Sequence, residues 1–271
     1  VPTIGNALGG ELRRWRDARR ISQLELATRA GTTQRHMSFV ETGRSLPGRP
    51  LVLRLAESLD LSLRERNALL VAAGYAPAFS ETNLDDPRMR PVRDALQQVL
   101  AGHMPYPALV AGPRGQIVAA NDAIDVLTEG AAPELLTGDV NVWRLALHPD
   151  GMAGRVQNLD VWGRHVIEGL RARAARHPDP QLSELITELS GYVPDAPPPG
   201  DDYLGFAVPL RLSTPDGTLQ LLTTLTSFAT AVDVTLAELH LEAWLPVDAA
   251  SADILTRRGC ARKGHPPCTD R

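Results

Sequence analysis

Gln34 and Arg35 stand side by side, three residues after Gly31, and carry the two side chains best suited to reading base edges. A carboxamide pairs bidentately with adenine, and a guanidinium with guanine, in the DNA major groove. Thr33, His36, Ser38 and Phe39 lie close enough in sequence to share that surface. Gln23 and Arg44 flank it with donors suited to phosphate oxygens, which position a protein without reading sequence. Patterns for catalysis are absent: there is no Gly-x-Gly-x-x-Gly after a strand, no P-loop, no His-Glu-x-x-His and no nucleophile elbow. His165 and Glu168 sit at a spacing that can hold a metal, but no second such pair accompanies them. Cys260, His265 and Cys268 are irregularly spaced in a tail rich in Arg, Gly and Pro, which makes a poor zinc site. The chemistry expected is recognition, with no enzyme activity, no metal and no resident cofactor.

The elements that must present these groups are short helices. Leu8, Leu12 and Trp15 recur on one helical face. Ser22-Gln23-Leu24-Glu25 is a capping-box sequence opening a second helix, with Leu24 and Ala27 expected inward and Gly31 ending it through a positive φ. A third helix runs from about Thr33 to Glu41, with Met37 and Val40 inward, so that Thr33, Gln34, Arg35, Ser38 and Phe39 fall on or near the outer face. A fourth follows near 51–59, and Ser62-Leu63-Arg64-Glu65 opens a fifth that ends at Gly74. Residues 1–75 carry twelve arginines against seven acidic residues, a net of +5, on a chain whose total is −4. A basic front on an acidic remainder points to an anionic partner for the front alone. The arginines of the first helix (Arg13, Arg14, Arg16, Arg19, Arg20) read as solvated surface. Phe39 is open to two roles, contact with a thymine methyl or packing toward the fourth helix. His36 is open to base contact, phosphate contact or neither.

A helix, a three-residue turn with Gly and a second helix form the geometry that lets the second enter the major groove while the first braces across the backbone. Gln23-Leu24-Glu25-Leu26-Ala27, Gly31-Thr32-Thr33-Gln34 and Glu41-Thr42-Gly43-Arg44 resemble the helix-turn-helix of the lambda-repressor, or XRE, class over nearly all of residues 4–75. That resemblance implies a partner in double-stranded DNA, with a homodimer on a near-palindromic operator.

Residues 76–90, with Pro77, Asp85-Asp86 and Pro87, read as a linker. An amphipathic helix over 91–102 comes next, with Val92, Ala95, Leu96, Val99 and Leu100 on its stripe. The period then changes to two. Residues 108–111 and 116–120 flank Gly112-Pro113-Arg114-Gly115 as a hairpin, with Asn121 placed to cap the next helix. Helices are expected over 121–129, 141–147, 155–176 and 180–191, then a proline-rich loop over 194–202. Strands are expected over 204–212, 219–228 and 232–245. In the last of these Leu239, Leu241, Ala243 and Leu245 alternate with Glu238, His240 and Glu242, the pattern of a sheet with one wet face. The fold class is therefore α+β in two domains: an all-α helix-turn-helix over 1–75, a linker and connecting helix over 76–103, a PAS-like five-stranded antiparallel sheet with helices over 104–250, and a disordered tail over 251–271. No run approaches the ~20 apolar residues of a membrane span. With 43% hydrophobic and 22% charged residues, two cysteines confined to the tail and no signal-like N-terminus, a cytoplasmic setting away from membranes is expected.

Residues 141–151 (Asn-Val-Trp-Arg-Leu-Ala-Leu-His-Pro-Asp-Gly), Val208-Pro209-Leu210-Arg211-Leu212 with the Pro215-Asp216-Gly217 turn, and Thr230-Ala231-Val232-Asp233-Val234-Thr235-Leu236 are similar to the MmyB-like ligand-binding domain found behind XRE-type helix-turn-helices. The resemblance runs from about residue 4 to 255. It implies a bacterial transcriptional regulator whose PAS-like domain has a lipophilic cavity, with fatty acid as one ligand class. Candidate lining residues are Trp143, Leu147, Trp162, Val166, Phe206, Leu222 and Phe228, with Arg144, then His148, as the cation for an acidic head group. His148-Pro149-Asp150-Gly151 also reads as a plain hydrogen-bonded turn. The alternative function keeps the DNA-binding half and makes the PAS-like domain a dimerisation or protein-docking platform with a filled interior.

Overall fold

The computed structural model describes residues 4–194, 207–228 and 230–262. They form two compact units: residues 4–83 together with 230–237, and residues 84–194 and 207–228 together with 238–262.

The first unit contains α1 (Ile4–Ala18), α2 (Gln23–Arg29), α3 (Gln34–Glu41), α4 (Arg49–Ser58) and α5 (Leu63–Ala72). Leu8, Leu12 and Trp15 of α1 meet Leu26, Ala27, Met37, Val40, Leu55 and Leu69 in one core. The two capping-box sequences behave differently. Ser62 accepts from Glu65 N and Glu65 reaches back to Ser62 N at 2.7 Å, so both halves form. At α2 Ser22 accepts from Glu25 N, but the Glu25 carboxylate goes to Arg29 one turn on, at 2.5 Å. Leu24, expected inward, is exposed, and Leu26 takes the core position instead. Gly31 does hold a positive φ of 66°. Within the segment expected as a linker, residues 78 and 79 are tied to α5, where Asn67 donates to Phe79 O at 2.8 Å and accepts from Ala78 N and Phe79 N.

The second unit opens with α6 (Arg90–Gly102), then β1 (Ala108–Ala111), β2 (Ile117–Ala120), the short α7 (Asp125–Thr128), α8 (Val142–Leu147), α9 (Leu159–Arg176) and α10 (Pro180–Ser190). It continues with β3 (Leu210–Thr214), β4 (Gly217–Ser227), β5 (His240–Pro246) and α12 (Ala249–Arg262), while α11 (Val234–Glu238) belongs to the first unit but for its last residue. The strands form one antiparallel sheet in the order β2-β1-β5-β4-β3, the PAS-like arrangement expected. Leu109, Ala111, Leu210, Leu212 and Trp244 of the sheet pack with Trp143, Trp162, Ile167 and Leu185 of the helices.

Several expectations change. The strand placed at 232–245 starts only at His240, because Asp233 caps a turn of helix through Thr235 N at 2.9 Å. Residues 240 and 242 of its expected wet face are buried, since helices cover that side. The tail expected to be disordered from 251 is helical through Arg262: Ser251, Ile254, Leu255 and Gly259 are buried, and Ser251 Oγ accepts from Gln220 N of β4 at 2.9 Å. Asn121 caps nothing with its side chain. It is buried, accepts from Ala108 N, and donates to Leu100 O and Tyr106 O, which ties α6 to the first hairpin. The third strand covers Leu210–Thr214 rather than 204–212; residues 204–206, the loop at 195–202, and His265 and Cys268 lie outside the described residues.

Candidate nucleic-acid interface and ligand site

In the first unit Glu41, at the end of α3, joins three helices. Its buried carboxylate receives Arg16 Nε at 2.7 Å and Nη2 at 3.2 Å from α1, and Gln23 Nε2 at 2.8 Å from α2, with Arg13 Nε 3.5 Å away. Burial alone would raise the Glu41 pKa, but the hydrogen bonds from Arg16 and Gln23 outweigh it and hold the carboxyl below its ordinary range. The bond to Glu41 likewise raises Arg16. Arg16 is thus an internal strut rather than solvated surface, and Gln23 gives one amide hydrogen to the same carboxylate.

This frame fixes what α3 shows to solvent. Met37, Val40 and Glu41 face inward, while Thr33, Gln34 and Arg35 are exposed on the first turn. Thr33 caps the helix, its hydroxyl accepting from His36 N at 3.2 Å. His36 is held on both ring nitrogens, 3.0 Å from Thr32 Oγ1 and 3.4 Å from Ser45 Oγ, so its place is structural. Half-buried Phe39 lies under the Arg35 guanidinium, 5.5 Å from its ring centroid. Phe39 O takes Arg44 N and Ser45 N, which turns the chain after α3; Arg44 is exposed and Ser38 half-buried. The outward group predicted from periodicity is therefore gathered on one surface; Arg16 and Glu41, which brace it, were missed.

In the second unit Asn141 accepts from Trp143 N and Arg144 N and donates to Arg114 O at 2.6 Å, which sets α8 against the first hairpin. Arg144 makes a two-pronged pair with Glu188, both bonds 2.7 Å, and Tyr192 adds a hydroxyl to the same carboxylate at 3.2 Å. The bonds from Arg144 hold Glu188 below its ordinary range. The cation expected for an acidic head group is thus already neutralised within the fold. His148 Nδ1 accepts from Asp150 N at 3.0 Å, the turn reading, and its ring sits edge-on to Tyr192. Leu147 and Trp162 are core, Val166 is packed against it, and Leu222 and Phe228 are half-buried. Leu222 pairs with Leu245, one position out of phase with Glu242 and Leu225, so it points to the opposite sheet face from Trp143. Phe206 lies outside the described residues.

Instead, the structure gathers Trp143, Arg173, His240 and Glu242. Trp143 stacks parallel over His240, with 6.4 Å between centroids and 12° between planes. Arg173 lies 5.9 Å from the Trp143 ring. Burial pushes the Arg173 guanidinium down, with Glu242 and Glu238 acting the other way. The only sequence signal for this group was the polar phase of β5, which read as solvent-facing.

Among the described residues there is no group of three His, Cys, Asp or Glu able to hold a metal ion, and no helix is long and apolar enough to cross a membrane. Comparison with known proteins places residues 7–69 in a helix-turn-helix domain family and residues 92–257 in the family described as the MmyB-like transcription regulator ligand binding domain. A Sinorhizobium fredii (strain NBRC 101917 / NGR234) protein described as "Uncharacterized HTH-type transcriptional regulator y4dL" is 42% identical over 53 residues, 20% of this chain and 27% of the relative. The chain thus spans about a quarter of that relative's length. Two crystal structures of the clp gene regulator ClgR from Corynebacterium glutamicum align over 27% and 38% of this chain and 92% and 97% of theirs. They are 26% and 22% identical, with TM-scores of 0.25 and 0.24. With a family match over most of its length behind a helix-turn-helix, the chain belongs to the MmyB-like family of DNA-binding transcriptional regulators.

Proposed function

We propose that the chain binds a near-palindromic operator as a homodimer and that its PAS-like domain senses a small lipophilic ligand. The observation that carries the first part is the exposure of Thr33, Gln34 and Arg35 on the first turn of α3, above an inward face of Met37, Val40 and Glu41. Gln34 reads adenine and Arg35 guanine. Phe39, under Arg35, offers its edge to a thymine methyl. Gln23, with its second amide hydrogen, and Arg44 take phosphates. Two-fold symmetry sets half-sites about one helical turn, ~10 bp, apart. Selection from random duplexes tests this: paired half-sites at that spacing are expected, and a single unpaired site would remove the dimer.

For the second part, fatty acid is the ligand class that family resemblance implies. The burial of Leu147 and Trp162 as core favours the other reading, a filled platform for dimerisation or protein docking. Native mass spectrometry before and after organic extraction separates the two. An extractable mass in the lipid range supports sensing, and a clean mass unchanged by added lipids supports the platform.

A further inference from the structure

β5 is the middle strand of the sheet, and residues 240, 242 and 244 share the face that the helices cover. A central strand ordinarily fills such a face with apolar groups. Here the residues are His240, Glu242 and Trp244, at 4%, 7% and 4% exposure. Glu242 Oε1 lies 3.2 Å from His240 Nε2. In the neutral ring the hydrogen therefore sits on Nε2, and Nδ1 is an acceptor. Among the described residues neither His240 Nδ1 nor Trp244 Nε1 has a hydrogen-bond partner, and both are fully buried. Folded proteins leave few buried polar atoms unpaired, and each instance calls for an explanation.

The surroundings limit what can meet Nδ1. Arg173 and Glu242 carry opposite charges within each other's influence, so the cluster has no spare cation for an anionic group. An ionised carboxylate only accepts hydrogen bonds, as the neutral ring's Nδ1 does, and it would sit close to Glu242. A hydroxyl can donate to Nδ1. On the β4 side Leu225 pairs with Glu242 and Ser227 with His240 on the same face. Leu225 is 65% exposed and Ser227 is also open, so an apolar edge borders the buried pair.

We propose that His240 is the head-group residue of the ligand site and that the ligand is a neutral apolar alcohol, its hydroxyl donating to His240 Nδ1 and its chain lying toward Leu225. This rests on the ligand-sensing reading above and replaces its acidic head group with an uncharged one. The test is calorimetric titration of the full chain with 1-decanol and with decanoate, probes of equal chain length. Decanol is expected to bind about tenfold more tightly, a difference of about 1.4 kcal/mol. His240→Phe keeps a ring for Trp143 to stack on and removes both nitrogens; it should bring decanol down to the level of decanoate. Glu242→Gln removes one of the two carboxylates that act on Arg173 and should shift preference toward decanoate, which decides the matter where the Phe variant fails to fold. Tighter binding of decanoate to the unmodified chain overturns the proposal. So does failure of decanol to bind, and if mass spectrometry then still finds an extractable small molecule, ligand sensing stands without this head group. If neither probe binds and no mass is extracted, both readings fall.

Discussion

The Thr82 hydroxyl donates to Asp233 Oδ2 at 2.7 Å, across a separation of 151 residues. Thr82 N approaches the same carboxylate at 3.2 Å, and Val234 N donates to Ser80 O at 2.8 Å. The β4–β5 connection is thereby built into the first unit, against the segment that Asn67 pins to α5. Asp233 also caps α11, and β5 begins at His240 two residues after that helix ends. A shift at the start of β5 therefore has a short covalent route to a clamp inside the DNA-binding unit.

Asp233→Asn weakens that clamp by replacing a charged acceptor with a neutral one, at a cost of about 1–2 kcal/mol. Operator affinity of the free protein should hold, while the change in affinity caused by saturating 1-decanol should shrink. Coupling requires the ligand to favour one arrangement of a two-state element, and this clamp is our candidate for that element. Fluorescence anisotropy with labelled operator reads both quantities; an undiminished ligand response would place the coupling elsewhere.

Glu41→Gln removes the charge that α1, α2 and α3 share. Arg16 then keeps a largely enclosed guanidinium with only the exposed Asp17 carboxylate beside it, 2.9 Å from Nη1, at a cost of about 1–3 kcal/mol at neutral pH. Because the folded pKa of Glu41 is lowered, this contribution is complete above the unfolded carboxyl value of about 4.3 and fades as the pH falls through the folded value. Hydrogen exchange on peptides from α1 and α3 isolates this unit. The gap between wild type and variant should be wide at pH 7 and narrow steadily below pH 4.

The helices of the first unit were legible because caps and periodicity are local: Ser62 and Glu65 close their box as written. The same motif at Ser22 half fails because Arg29 offers Glu25 a nearer charge, which the motif does not encode. The five strands and their order along the chain were largely legible, but the environment of β5 was not. Its alternation fixes which residues share a face, and whether that face is wet depends on helices far away in sequence. His240 and Glu242 were accordingly read as solvent-facing although they are buried. Arg173 gave no signal, since an arginine on a helix is ordinarily surface. The helix at 249–262 was missed because its buried side is built on Ser251 and Gly259 as well as Ile254 and Leu255, a weak apolar stripe.

Gly115→Ala tests how Trp143 is seated. Gly115 has a φ of 82°, and an added Cβ would lie 2.6 Å from the Trp143 ring. Strained backbone of this kind costs about 1–3 kcal/mol, and either the ring moves off His240 or the hairpin gives way. A lower melting temperature with an altered near-ultraviolet dichroism of the tryptophans is expected. An unchanged spectrum would mean that the hairpin yields instead of the ring.

Arg144→Met should have little effect on either stability or binding. Its pair with Glu188 is 40% and 34% exposed, so solvent screens it and the loss stays below about 1 kcal/mol. If the head group meets His240, titrations with 1-decanol and decanoate are unchanged in this variant. Selective loss of decanoate would instead return Arg144 to the role of acid-binding cation, with Glu188 displaced by ligand.

Arg35 and Arg44 differ in what they are placed to touch. Arg35 projects from the first turn of α3, over Phe39, where a guanidinium can reach guanine O6 and N7. Arg35→Ala should cost about 1–3 kcal/mol and relax preference at one base pair of each half-site. Arg44 lies beyond the end of the helix, and on the proposed reading it takes a phosphate, so Arg44→Ala should weaken all sequences alike and lower the salt dependence by about one ion per half-site. Binding measured over a salt series, on the selected operator and on single-base variants, separates the two behaviours. Equal weakening across all sequences for Arg35→Ala would move it to the phosphates, leaving Gln34 to carry the direct reading of sequence from this helix.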